Sequence, residues 1–274
     1  MSSTTFSEAR ESGYARLSRI VEQRASRYAD DVESALNQGG LRDEEATLLD
    51  EFEQYVSNVL NEYPSRRRKS HQLIFRTLYE RKPETVPSER RRTLLVALMA
   101  AEVEAQGPLR LTMRQNKDLA EILERLGTDC AAEKLVLHAA EAFERAAEIH
   151  LLTNDSLERD RFLYLRTQAL HRVERSWWRR IVMTVSAVTC GYGYRPYRLL
   201  GWVLFQLLVS WAALLVVAHG TPQHDLYLAA VNYINPAGTD EMGSRVKAVL
   251  VVESYCGALS LNVFFALLVR RWFR

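Results

Sequence analysis

Apolar residues recur with helical spacing over most of the first 180 positions, so the chain is expected to be all-α. "YARLSRIVEQRASRYADDVESALNQGG" predicts a helix that stops at Gly39-Gly40. "DEEATLLDEFEQYVSNVLNEYP" predicts a second, closed by Pro64. A third is expected over "RKSHQLIFRTLYERKP", stopping near Pro83, and a fourth over "SERRRTLLVALMAAEVEAQGP", stopping at Gly107-Pro108. "NKDLAEILERLGTD" follows, and then a helical hairpin joined by "TNDS", whose second arm reads "LERDRFLYLRTQALHRVERSWWRR". Asp155 and Glu158 fit the D-x-x-E pattern that opens a helix. Ala139, Ala140, Ala142, Ala146 and Ala147 let the arms approach closely, as in paired tetratricopeptide-type helices, although no period is strict enough for a repeat array. The second arm is expected to run on through Trp177-Trp178.

The spacing changes near residue 199. Leu199–Gly220, "LLGWVLFQLLVSWAALLVVAHG", holds no charged residue; about 20 positions at 1.5 Å each match the hydrocarbon thickness of a bilayer. A second run, "AVLVVESYCGALSLNVFFALLV" from Ala248 to Val269, contains Glu253 and Asn262. A carboxylate there must face a cavity, a neighbouring helix or the interface. Arg175, Arg179, Arg180, Arg195 and Arg198 precede the first run, and Arg270, Arg271 and Arg274 follow the second. The segment between them carries only Arg245 and Lys247, which places both termini in the cytoplasm and the loop outside. The expected organisation is a cytoplasmic helical domain over residues 1–175, a basic juxtamembrane linker over 176–198, spans over 199–220 and 248–269, an outside segment over 221–247, and a cytoplasmic tail over 270–274.

The net charge of +2 hides two opposed blocks. Met1 to Pro64 carries 13 acidic residues against 6 arginines, and Ser65 to Arg92 carries 10 basic residues against 3 acidic ones. Such blocks form a contact surface or solvated helix faces. "SRRRKS" at 65–70 and "ERRR" at 89–92 suit lipid headgroups or an acidic neighbouring helix better than nucleic acid, since no nucleic-acid motif accompanies them. Cys130, Cys190 and Cys256 share no metal spacing, and the scattered histidines, among them His138 and His150, suit seam or surface positions. The N-terminus lacks the apolar core of a secretory signal. No phosphate-binding loop, zinc-protease motif or nucleophile elbow occurs, so an enzyme, a cofactor and a metal centre are not expected.

"TCGYGYRPYR", Thr189 to Arg198, contains the letters of a potassium-channel filter. It lies before the first span beside Arg195 and Arg198, on the wrong side for an outer filter. Gly191 and Gly193 are expected to let the chain turn, with Pro196 opening the next helix. The order of the remaining features (helical hairpin, basic segment, span, loop, span with Glu253-x-x-x-Gly257, then "LLVRRWFR") nevertheless resembles bacterial two-transmembrane potassium-channel-domain proteins over about residues 140–274. In that family the segment between spans reads approximately L-Y-F-S-L-V-T-F-T-T-L-G-Y-G-D. Here "LYLAAVNYINPAGTD" matches it at Leu226, Tyr227, Val231 and Asp240, with Tyr233 at an aromatic position. The filter glycines are replaced by Ala237 and Thr239, and Gly238 stands at the tyrosine position. Proline at 236 fixes its own φ, and glycine's conformational freedom is lost at both filter sites, which removes the usual basis of potassium selectivity.

The resemblance implies a tetramer, because two spans enclose no pore alone. It makes Asn232, Asn235, Gly238, Thr239 and Asp240 the candidate pore-loop residues. The expected function is a channel-like protein of the bacterial inner membrane, with altered or lost potassium selectivity, gated through its cytoplasmic domain by a protein or small-molecule signal. The alternatives are a non-conducting, membrane-anchored interaction module, or a membrane-disrupting effector of the kind found in bacterial defence.

Overall fold

The computed structural model describes residues 2–38, 41–63, 72–81, 84–195, 197–218, 221–235 and 242–272. Every regular element among them is helical, and the chain divides into two compact units, Met1–Arg175 and Ser176–Arg274.

The first unit holds α1 (Ser2–Asn37), α2 (Leu41–Leu60), the one-turn α3 (Arg76–Tyr79), α4 (Pro87–Gln106), α5 (Met113–Ala132), α6 (Val136–Leu152) and α7 (Ser156–Val173). Its centre is α4, in which every residue from Leu94 to Glu104 is buried. A helix apolar on all sides is stable only when surrounded, and α4 packs against α1, α2, α3, α5 and α6. The helix α1 offers it a stripe at three- and four-residue intervals, Leu17, Val21, Ala25, Tyr28 and Val32. The five small residues Ala139, Ala140, Ala142, Ala146 and Ala147 are all buried, and α6 packs against both α5 and α7. Gly127 of α5 lies so close to the Phe143 ring that a Cβ there would come within 2.7 Å of it.

The opposed charge blocks meet inside this unit. Arg91 makes a two-pronged pair with Glu33 at 2.7 and 2.9 Å, Arg92 reaches Asp30 at 2.8 Å, and Arg81 reaches Glu22 at 2.7 Å. The basic 89–92 run therefore lies against acidic residues of α1. Residues 65–70 lie outside the described residues.

Two expectations fail, for identifiable reasons. The third helix, expected from Arg68 to Pro83, shrinks among the described residues to the single turn of α3. The buried Glu104 carboxylate of α4 accepts from the Ile74 N–H at 2.5 Å, the Phe75 N–H at 3.3 Å and the Tyr79 hydroxyl at 2.9 Å. A distant side chain thus takes backbone donors that a longer helix would use internally, and it holds the start of α3 in place. The second failure concerns α7, which ends at Val173 instead of continuing through the tryptophans. Glu174 to Ser176 are not helical, and Ser176 takes the extended N-cap conformation that opens a new helix.

The second unit holds α8 (Trp177–Cys190), α9 (Tyr197–Val217), α10 (Pro222–Ile234) and α11 (Ser244–Trp272). The basic segment 176–198 is mainly helical, Trp177–Cys190 forming α8. α8 ends in a tight turn in which Gly191, Tyr192 and Gly193 all have positive φ, at +57°, +56° and +84°. Glycine takes that conformation without steric penalty, so the G-Y-G letters here encode a change of chain direction. Arg198 closes the turn, its guanidinium donating to the Ala187 carbonyl at 3.4 Å.

Candidate functional site between the apolar helices

Among the described residues two helices are long and apolar enough to cross a membrane, Tyr197–Val217 and Ser244–Val269. They pack on one another, and α10 packs against both. This short helix follows from local rules: Thr221 is its N-cap, Pro222 stands in its first turn and Asp225 brings negative charge to its N-terminal end. The Trp211 indole of α9 donates to the Pro222 carbonyl at 3.0 Å, which ties the start of α10 to the first apolar helix.

The second tie is polar. Asn232 of α10 is buried, and its amide donates to the Leu250 carbonyl at 2.8 Å and to Glu253 Oε2 at 3.0 Å. Glu253 itself is 3% exposed. Its other oxygen has no hydrogen bond among the described residues. The Ser210 hydroxyl of α9 interacts with this carboxylate, short of full hydrogen-bond geometry to that atom. A third set joins all three helices: Gln206 Oε1 of α9 accepts from the Tyr233 hydroxyl of α10 at 2.9 Å and from the Ser260 hydroxyl of α11 at 3.0 Å. Gly257 makes the α10–α11 approach possible, since a Cβ there would sit 3.0 Å from the Tyr233 carbonyl oxygen. Beside these groups lies a cavity of about 440 Å³, lined by Gln206, Ser210, Tyr233, Glu253 and Cys256 among mainly apolar neighbours.

The structure therefore brings Asn232 and Glu253 together, and turns Asn232 inward between the helices. Asn235 is exposed and forms the C-cap of α10, its N–H bonded to the Val231 carbonyl at 2.8 Å. Gly238, Thr239 and Asp240 lie outside the described residues, as does Pro196. Asn262 is exposed on α11. Gly191, Gly193 and Arg195 belong to the turn before α9, and Arg198 in the first turn of α9 bonds back to Ala187, away from this cluster in sequence and in bonding.

Sequence reasoning misses Gln206, Ser210, Tyr233 as a hydrogen-bond donor, Ser260 and the buried Asp225, whose Oδ2 also lacks a partner among the described residues. Gln206 and Ser210 were available signals, being polar side chains four apart within an uncharged run and so on one helix face. Chemically, the site offers a buried carboxylate, an amide and hydroxyls that order three helices against each other. Among the described residues no group of three or more His, Cys, Asp or Glu side chains is placed to hold a metal ion. No protein-family model, curated protein or solved structure matches the chain.

Proposed function

We propose that the chain is a channel-like integral membrane protein of the bacterial cytoplasmic membrane. In this reading α9 and α11 cross the bilayer as a hairpin, both termini are cytoplasmic, and several copies, four by the family resemblance, surround a pore. The observation that carries it is α10. A short helix is seated between two membrane-length helices, tied to one by Trp211 and to the other by Asn232. It ends directly before residues 236–240, where the family resemblance puts the pore-lining segment. The buried Glu253 supports this reading, because a carboxylate within an apolar helix is retained in lipid only with a polar partner. Filter glycines being replaced, the pore discriminates by charge and not between potassium and sodium. The 1–175 unit is the gate, responding to a cytoplasmic protein or small molecule.

The test is electrical. The full chain in planar bilayers is expected to conduct cations over anions, and Asp240→Asn to lower cation conductance, most strongly at low salt where a carboxylate ring is least screened. A wild-type protein that assembles but stays silent under every condition overturns the reading. The second reading, a membrane-anchored interaction module, is favoured by one observation: Leu151, Leu152 and Leu157, at the turn between α6 and α7, are all exposed, at 56%, 78% and 70%. Large apolar groups gathered at one turn suit a protein partner.

A further inference from the structure

The helix α8 has the composition of a connecting segment and the surface of something else. Six of its fourteen residues are large apolar side chains more than 45% exposed: Trp177, Trp178, Ile181, Val182, Val185 and Val188. At 3.6 residues per turn these six fall within one arc of about 140°. The remaining side carries Met183, Ser186, Ala187 and Cys190, which are half-buried or buried. Arg179 and Arg180 are exposed and flank the arc, one beyond each edge. Such a stripe exposed to water would be unfavourable, and its two indoles stand at the end where an interfacial anchor belongs.

Charge identifies the occupant. Between Glu174 and Asp225 the chain contains no acidic residue, and that stretch opens with Arg175, Arg179, Arg180, Arg195 and Arg198. The apolar arc and an uninterrupted positive charge therefore belong to one short segment. An acidic protein partner would match the arginines but leave the valines to water; a bilayer with anionic headgroups satisfies both. The turn at Gly191–Gly193 leads from α8 directly into the first membrane-length helix, which brings α8 to the bilayer surface. We infer that α8 lies in the headgroup layer of an anionic membrane leaflet, its Trp177–Val188 arc facing the acyl chains and its arginines on lipid phosphates. The inference rests on α9 entering a bilayer, and is independent of conduction.

The test uses the full chain with Cys256→Ser, the cysteines at 130 and 190 being buried. Val185→Cys is spin-labelled, and the protein is placed in vesicles of phosphatidylcholine with about one-third phosphatidylglycerol. The label is expected to be open to membrane-soluble oxygen and shielded from a water-soluble nickel chelate, at a depth of about 5–10 Å. Its oxygen-to-nickel ratio is expected to fall at least about threefold in phosphatidylcholine alone, and equally in the Arg179→Gln/Arg180→Gln variant. A label open to nickel in both vesicles overturns the inference, because the arc then faces water. A label shielded from both reagents also overturns it, because the arc is then covered by protein. A ratio indifferent to lipid charge and to the two arginines overturns the choice of an anionic surface. As a label-free check, quenching by lipids brominated near the headgroup is expected to drop in Trp177→Phe/Trp178→Phe; unchanged quenching counts against the placement.

Discussion

Glu141 illustrates how a crowd of like charges is held in the first unit. Burial, followed by repulsion from Glu102 and Glu144, pushes its carboxyl up to about 7, while Arg145 pulls the other way. Arg145 serves several acids at once, meeting Glu102 at 2.7 Å and Glu141 at 3.9 Å and pairing with Glu148, so it neutralises none of them fully. In the unfolded chain a glutamate titrates near about 4.3, so between that value and about 7 the native state holds the extra proton. Stability from this group is therefore complete in acid and is lost as pH rises through 7. Glu141→Gln is expected to stabilise the protein by about 1 kcal/mol at pH 8, a figure lowered for its partial exposure, and to make almost no difference at about pH 4, below the unfolded-state value. Urea unfolding of wild type and variant at the two pH values measures this; a gain that persists undiminished at about pH 4 would assign the effect to something other than charge. The buried Tyr28–His138–Glu45 chain is of another kind. Tyr28 bonds His138 Nε2 at 2.5 Å, and Glu45 lies 3.3 Å from Nδ1. The sequence suits His138 to a seam or surface position and does not show its partners, because they come from 93 and 110 positions away.

Helix packing in the second unit depends on Gly257. Gly257→Val would put side-chain atoms against the Tyr233 carbonyl and ring, which already stand 3.0–3.3 Å from a Cβ. Separating α10 from α11 would stretch the Asn232–Leu250 and Asn232–Glu253 bonds and uncover Glu253. The expected cost is about 1–3 kcal/mol, with Gly257→Ala milder, measured as thermal unfolding in detergent. Equal melting of wild type and valine variant would show that α10 is not clamped. Which elements can be read from sequence follows from where their stop and start signals lie. α1 ends before Gly39-Gly40, α4 before Gly107 and α7 opens at Asp155, whose carboxylate accepts from the Glu158 N–H at 3.3 Å, because each signal is local. α5 begins three residues earlier than the apolar spacing suggests, through a capping box between Thr112 and Gln115 that the letters T-x-x-Q could have disclosed. The helix α10 was announced by Thr221-Pro222, yet a loop-like reading of 221–247 passes over it. α3 is the case no local rule reaches, since the Glu104 that shortens it is 29 residues away from Phe75.

For the molecule as a whole, the proposed topology has the arginine asymmetry orient the chain, with the α8 arc and the α9–α11 pair as two different membrane contacts. Cysteine introduced at Gln223, the exposed second residue of α10, is expected to react with an impermeant reagent from outside intact cells. Reaction only after the cytoplasmic side is opened would reverse the topology. The cluster at Glu253 was half visible beforehand: Glu253 stands out in an apolar run, whereas Gln206 and Ser260 become members only when three helices meet. The reach of the first unit's core has a consequence during synthesis. The Tyr28–His138 bond closes only after residue 138 has left the ribosome, so Tyr28 of α1 must wait for it while roughly 110 further residues are made. At about 5–20 residues per second that delay is on the order of ten seconds. Every buried residue of that core nevertheless lies at or before Phe162, ahead of the first membrane-length helix at Tyr197. The first unit can thus complete its interior before the first membrane-length helix emerges, and under the proposed function the nascent chain would reach the bilayer with that unit already built.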